Sequence, residues 1–279
     1  MDAGELLRRY AAGERDFRDA DLQRASLIRA DLSNANLRGA NLNRANLTGA
    51  SLQKVNLREA NLTEANLRGT DLREANLIGS NLSKANLTEA NLTDASLRAS
   101  NMSQANLTGA NLTEAILSEA ILRDANLSRA KLVDAPLCRT NFSNAILKGA
   151  MLEGANLTNA LLIGANLNKA NLAHALLNGA NLTGADLSQV DLSRAKASGS
   201  NMANAILCEA NLRGAIVSWT TLRGANLTKA NLYRAKLSWS NLSGAILVEA
   251  VLLDANLNQV NLHDADLTGA IMPDGFNHD

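Results

Sequence analysis

The sequence predicts an all-β solenoid, a β-helix of four-sided coils with a short α-helix over its N-terminal end. Three observations predict it. A five-residue period runs from Phe17 to Met272 without an insertion, with Leu at 45 of its 52 central sites. Ala fills 41 of the 52 positions two residues earlier, and the residue between is Asn 26 times and Asp seven times. The lapses in the Ala column recur at multiples of 20, which sets how many turns close a coil.

The N-terminal element is read from MDAGELLRRYAAGE, in which Leu6, Leu7, Tyr10 and Ala11 form the apolar side of a short helix ending near Gly13. Residues 1–14 are expected to cover the open edge of the first coil. This stretch has neither a basic leader nor an apolar run long enough for secretion or membrane spanning, so the expected setting is cytoplasmic, with no membrane partner.

Residues 15–272 form the repeat. An α-helix cannot use the pattern: five residues advance about 500°, which would set successive Leu roughly 140° apart around the cylinder. A flat strand fails as well, because five is odd and side chains alternate. The chain must turn once per repeat. Ala and Leu then share the inward side, while Asn/Asp and the two variable residues face outward. Gly at the second variable position, as in Gly39 and Gly49, suits a turn with relaxed sterics.

Seven lapses in the Ala column are Ser or Thr. Six of them, Ser80, Ser100, Thr140, Ser200, Thr220 and Ser240, stand at multiples of 20; Thr70 is the seventh. The coil therefore has four pentapeptides, and 52 repeats make about 13 coils. At about 4.8 Å per coil this is a rod roughly 60 Å long. In the tail, residues 273–279, Pro273 breaks the strand and Phe276 is expected to fold back as a lid.

This A(D/N)LXX pattern, spanning Phe17 to Met272, resembles the pentapeptide-repeat family, and the opening Leu6-Leu7-X-X-Tyr10 followed by Arg15-Asp16-Phe17 resembles its cyanobacterial members. The resemblance implies a right-handed quadrilateral β-helix of square cross-section. It also brings a function to weigh, since some members mimic B-form DNA and bind DNA gyrase.

Composition narrows the function classes. Lys plus Arg equals Asp plus Glu at 27 each, so no polyanionic or polycationic partner is advertised, and a DNA mimic needs a strongly negative rod. The register has no inserted loop and no C-terminal dimerisation helix, which also disfavours the gyrase-modulator alternative. A smooth rod offers no concave pocket for acid, base or nucleophile, so the chain is not read as an enzyme and no cofactor is expected. His174, His263 and His278 fall on different faces or in the tail, so no metal site is expected. Cys138 and Cys208 point outward on opposite faces, 70 residues apart. They should not pair, and free thiols suit a reducing compartment.

Two surface features stand out. Glu74, Asp94, Glu114 and Asp134 are spaced by 20 and should stack as a ladder of carboxylates, either a cation or basic-partner strip or a solvated edge relieved by Arg73 and neighbouring bases. Trp219 and Trp239, the only tryptophans, are also 20 apart and should stack at the corner after the first face, near Ile216. On the adjacent fourth face Tyr233, Val251, Leu253 and Ile271 make the surface unusually apolar. This region is either a contact site or a stiffening ladder. Thr48, Thr88, Thr108, Thr228 and Thr268 align on the third face, but Arg68 and Lys148 interrupt the column and argue against an ice-binding surface. Arg18, Arg38, Arg58 and Arg98 line one face with Asp19 and Glu59 among them, so no direct nucleic-acid binding is expected. The reading that remains is a monomeric, non-catalytic structural or protein-interaction module with an unidentified protein partner.

Overall fold

Asn and Asp recur in this chain because each closes its own turn. In a representative repeat the Asn91 Oδ1 accepts the backbone N–H of Thr93 at 3.1 Å and its hydroxyl at 2.7 Å. Such an Asx turn presets the bend two residues on. The Asn/Asp column is mostly half-buried rather than fully outward. The bend is completed by a backbone bond across the turn, for example Ala45 N–H to Leu42 O at 2.9 Å. It also needs a positive φ at the second variable residue. From Asp19 to Gly269 every residue at that position has one, and 36 of them are not glycine. The repeat thus holds charged and amide side chains in a backbone region that glycine occupies most easily.

The structure, a computed structural model, describes residues 1–278. Successive coils pair in parallel with a 20-residue offset, as in Asn41↔Asn61 and Asn61↔Asn81. Around each bridge Leu42 N–H donates to Asn61 O at 2.7 Å, Asn61 N–H to Ala40 O at 2.9 Å and Arg44 N–H to Thr63 O at 2.9 Å. Each side of the coil is thereby a very short strand followed by a turn, and the stack is a β-helix solenoid. The chain divides into two compact units, Met1–Asn141 and Phe142–Asp279. The same 20-residue pairing operates within each.

Every central residue from Phe17 to Leu252 is buried. The Ser/Thr lapses are also internal, and most are bonded: Thr70 Oγ1 donates to Leu47 O at 2.9 Å, Thr140 Oγ1 to Leu117 O at 2.8 Å, and Ser240 Oγ to Val217 O at 2.6 Å. A buried hydroxyl with a carbonyl partner costs little, so the column tolerates it.

Helix α1, Ala3–Ala11, is capped by Asp2, whose side chain accepts from Glu5 N–H at 2.7 Å. Leu6 is fully buried, and the Tyr10 hydroxyl donates to Ser33 O at 2.8 Å, which ties the helix to the first coils. Leu7 and Ala11, expected on the packed side, are exposed instead. Leu6 is buried, Ala3, Arg9 and Tyr10 are half-buried, and the Arg9 guanidinium lies 5.7 Å from the ring centroid of Phe17. The tail also departs from expectation. Residues after Pro273 do fold back, with an antiparallel bridge between Ile271 and Asn277, but Phe276 is 73% exposed and covers nothing. Leu257, Leu262 and Leu267 are half-buried, with no coil stacked above them among the described residues.

Candidate functional site

The corner column of the first face in the second unit reads Asn159, Gly179, Gly199, Trp219, Trp239, Gln259. Its register is fixed by backbone bonds from Asn159 N–H to Asn178 O, Gly179 N–H to Ser198 O, Gly199 N–H to Ser218 O and Trp219 N–H to Ser238 O, at 3.0–3.1 Å. Trp219 and Trp239 lie one above the other, with ring centroids 5.1 Å apart and planes 4° from parallel. They are 64% and 53% exposed and take φ of 59° and 64°. Two bulky aromatics therefore stand in solvent, on backbone that disfavours them.

The core beneath this corner is altered. Ala197 and Val217 stand where Leu is usual, and Ser200, Thr220 and Ser240 where Ala is usual. Thr220 Oγ1 donates to Ala197 O at 2.9 Å, and the Ser240 hydroxyl accepts from Thr220 N–H at 3.0 Å. Among the described residues Ser200 Oγ is buried without a partner. Ile216, on the same face, is half-buried between Lys196 and Lys236, to which it is bridged.

On the fourth face the expected apolar surface is smaller than the sequence suggests. Tyr233 is half-buried between two guanidinium groups, Arg213 at 5.1 Å and Arg234 at 4.8 Å from its ring centroid. Val251 and Ile271 are half-buried and bridged to each other, while Leu253 is exposed, its Cδ1 3.6 Å from where a Cβ of Gly275 would stand. The coils around Trp219 are rich in cations, spread over all four faces. Between residues 194 and 236 there are seven Lys or Arg and one acid, Glu209. Lys229 pairs with Glu249 at 3.5 Å and Arg234 with Asp254 at 3.1 Å, whereas Arg194, Lys196, Arg213, Arg223 and Lys236 make no ion pair among the described residues. The count was legible in the sequence, but whole-chain neutrality conceals it.

The first unit behaves differently. Glu74, Asp94, Glu114 and Asp134 do stack in register, all exposed. Of the bases expected to relieve the ladder, the neighbouring Lys54 meets Glu74 at 3.5 Å, while Arg73 pairs with Asp71 at 2.7 Å and holds that carboxyl below the usual range. Among the described residues no group of three or more His, Cys, Asp or Glu could hold a metal ion. Arg18, Arg38, Arg58 and Arg98 are each matched by a carboxylate, of Asp16, Glu59, Glu59 and Glu119. A shallow depression of about 180 Å³ lies among Arg18, Asp19, Arg38, Gly39 and Glu59. The aligned threonines spend their hydroxyl protons internally: those of Thr48, Thr88, Thr108, Thr228 and Thr268 donate to the Asn or Asp two residues earlier at 2.6–2.7 Å. Cys138 and Cys208 are free and half-buried; burial, with Glu209 and Asp186, pushes the Cys208 thiol up. No helix among the described residues is long and apolar enough to cross a membrane.

Comparison with known proteins follows the repeat. The family profile for pentapeptide repeats matches in eight copies, over residues 16–54, 56–94, 90–129, 120–159, 155–194, 191–228, 220–244 and 235–272. Among solved structures the chain is similar to HetL, a pentapeptide repeat protein involved in heterocyst differentiation regulation from the cyanobacterium Nostoc sp. strain PCC 7120. Identity is 36%, all of both chains is covered, and the TM-score is 0.36. It is also similar to a trypsin-treated variant of QnrB1, a plasmid-mediated fluoroquinolone resistance protein, at 21% identity over 68% of this chain and 88% of that one, with a TM-score of 0.34. A third likeness is to Rfr23, a pentapeptide repeat protein from the cyanobacterium Cyanothece 51142, at 33% identity over 34% of this chain and 58% of that one, with a TM-score of 0.18. No curated protein matches by sequence. No catalytic family is indicated, and with eight profile copies spanning residues 16–272 nearly without a break, the chain belongs to the pentapeptide repeat family.

Proposed function

We propose that this chain is a non-catalytic interaction module that engages a protein partner through the Trp219/Trp239 corner. The observation that carries the reading is the pair itself: two exposed, parallel indoles on positive-φ backbone, which the fold does not require, since charged residues, amides and glycine hold the same position elsewhere. Exposed aromatic surface rimmed by cations is the composition of a contact site. Family membership supports right-handed coils of square section, thirteen by the count of 52 repeats at four per coil. Two free thiols fit a reducing compartment such as the cytoplasm. Equal numbers of acidic and basic residues argue against a DNA-mimicking gyrase modulator, and no effect of micromolar protein in a supercoiling assay is expected.

The corner is tested by affinity capture from an extract of the source organism with the wild type, Trp219→Ala/Trp239→Ala, and Glu114→Ala from the acidic ladder as a control. At least one bound protein should disappear with the tryptophan variant alone. Identical bound sets for all three would sink the assignment.

A further inference from the structure

The aromatic column stops at Trp219, and the position one coil before it is Gly199; a Cβ would also meet nothing within 4 Å at Gly69, Gly184 and Gly244, but of these only Gly199 is followed in its column by a tryptophan. At most corner glycines the side chain one coil before leans into the gap. Asp19 Oδ1 stands against the position that a Cβ of Gly39 would take, Asn159 Oδ1 against that of Gly179, and Asn204 Oδ1 lies 2.6 Å from that of Gly224. Gly199 is preceded in its column by Gly179, which has no side chain to lean, and a Cβ on Gly199 would meet nothing within 4 Å. The face of Trp219 turned away from Trp239 therefore looks over a vacant position. The Asn159 carboxamide over Gly179 closes the far side. One further ring at the 5.1 Å spacing of the existing pair would lie at the level of Gly199.

We infer that this gap seats one flat aromatic side chain carried on an acidic segment of a protein partner. The ring packs on the free face of Trp219 above Gly199, continuing the stack. The partner's carboxylates meet Lys196 and Lys236 on the same face and Arg194 and Arg213 around the preceding corner, cations that have no counter-ion within the described residues. A single-stranded nucleic acid shares the taste for rings and cations, but it binds through successive stacking sites, and this slot admits one ring. The inference rests on the proposed contact role of the corner and adds the chemistry of what binds there.

The two tryptophans are the only ones in the chain, so indole fluorescence reports on this site directly. The probe is a synthetic peptide with one Phe flanked by Asp and Glu and free of Trp and Tyr. Titrated into the full-length protein, it should give a saturable change that weakens as salt rises. Replacing its Phe by Ala, or its acids by Lys, should cost about tenfold or more in affinity. Gly199→Asn should do the same by filling the gap. It should fold normally, because Asn144, Asn159 and Asn204 already hold φ of 56–58° at equivalent positions. If it does not fold, Lys196→Ala/Lys236→Ala takes its place, with reduced affinity and a shallower salt dependence expected.

Absence of a saturable change, equal binding of the Ala peptide, or undiminished binding by folded Gly199→Asn would overturn the inference. So would tighter binding of oligothymidylate than of the acidic peptide. If the peptide fails while partner capture still depends on the tryptophans, the slot is wrong and the contact corner stands. Loss of both readouts removes both.

Discussion

At the scale of single residues the repeat is an agreement between one apolar and one polar need. Leu and Ala go inward, while Asn or Asp ties the backbone of the residue two positions on. Asn91→Ala should therefore cost about 1 kcal/mol through the lost turn bond, while Asn91→Asp, which keeps the acceptor, should melt close to wild type by circular dichroism. The inward half of this pattern was legible in the sequence. The Asx turn was not, because Asn also suits a plain outward position and only the bond distances separate the two roles. Cys208 adds a second residue-level expectation. With its thiol pushed up by burial and by Glu209 and Asp186, less thiolate exists near neutrality, so a maleimide should label it more slowly than free cysteine at pH 8. Labelling at the free-cysteine rate would contradict that environment.

Elements depend on stacking between coils. Leu147, buried in the second unit with a backbone bond to Asn166 O at 2.7 Å, should lose about 2–5 kcal/mol on replacement by Ala, read as a lower denaturant midpoint. Acid acts on a different coil contact. Arg73, by its side-chain hydrogen bond, holds the Asp71 carboxyl below the ordinary range, and Gln53 adds a bond at 2.6 Å. Because the folded-state value is depressed, this contribution is present above the ordinary carboxylate range of about pH 4 and is lost as pH falls through the lower folded value. Asp71→Asn should therefore flatten part of the acid limb of a stability-against-pH curve, and an unchanged limb would speak against the pairing. The coil period was legible from six Ser/Thr lapses at multiples of 20; five of them, Ser80, Ser100, Thr140, Thr220 and Ser240, donate to a backbone carbonyl, which lets the core hold them. The ends were less so. A nine-residue helix can bury one stripe, which Leu6 and Tyr10 fill and Leu7 does not, and Phe276 stays in solvent because the tail bonds through its backbone.

For the molecule as a whole, net charge is a poor guide to where a partner binds. Twenty-seven charges of each sign cancel, yet the first-face arginines of the first unit are matched by carboxylates while five cations between residues 194 and 236 make no ion pair among the described residues. The stacked tryptophans were expected from their spacing; the bare glycine beside them and the unmatched cations needed the register and the ion pairs. The central claim is that the tryptophan corner exists for contact and not for the fold. Global melting of Trp219→Gly/Trp239→Gly tests it most directly. Losing the stack costs about 0.5–1.5 kcal/mol and added chain freedom about 0.5–1 kcal/mol per glycine, while relief of the positive-φ backbone returns about 1–2 kcal/mol per position. The account predicts a melting temperature equal to or above wild type. A clear fall would show that the pair is a stiffening ladder and would contradict it.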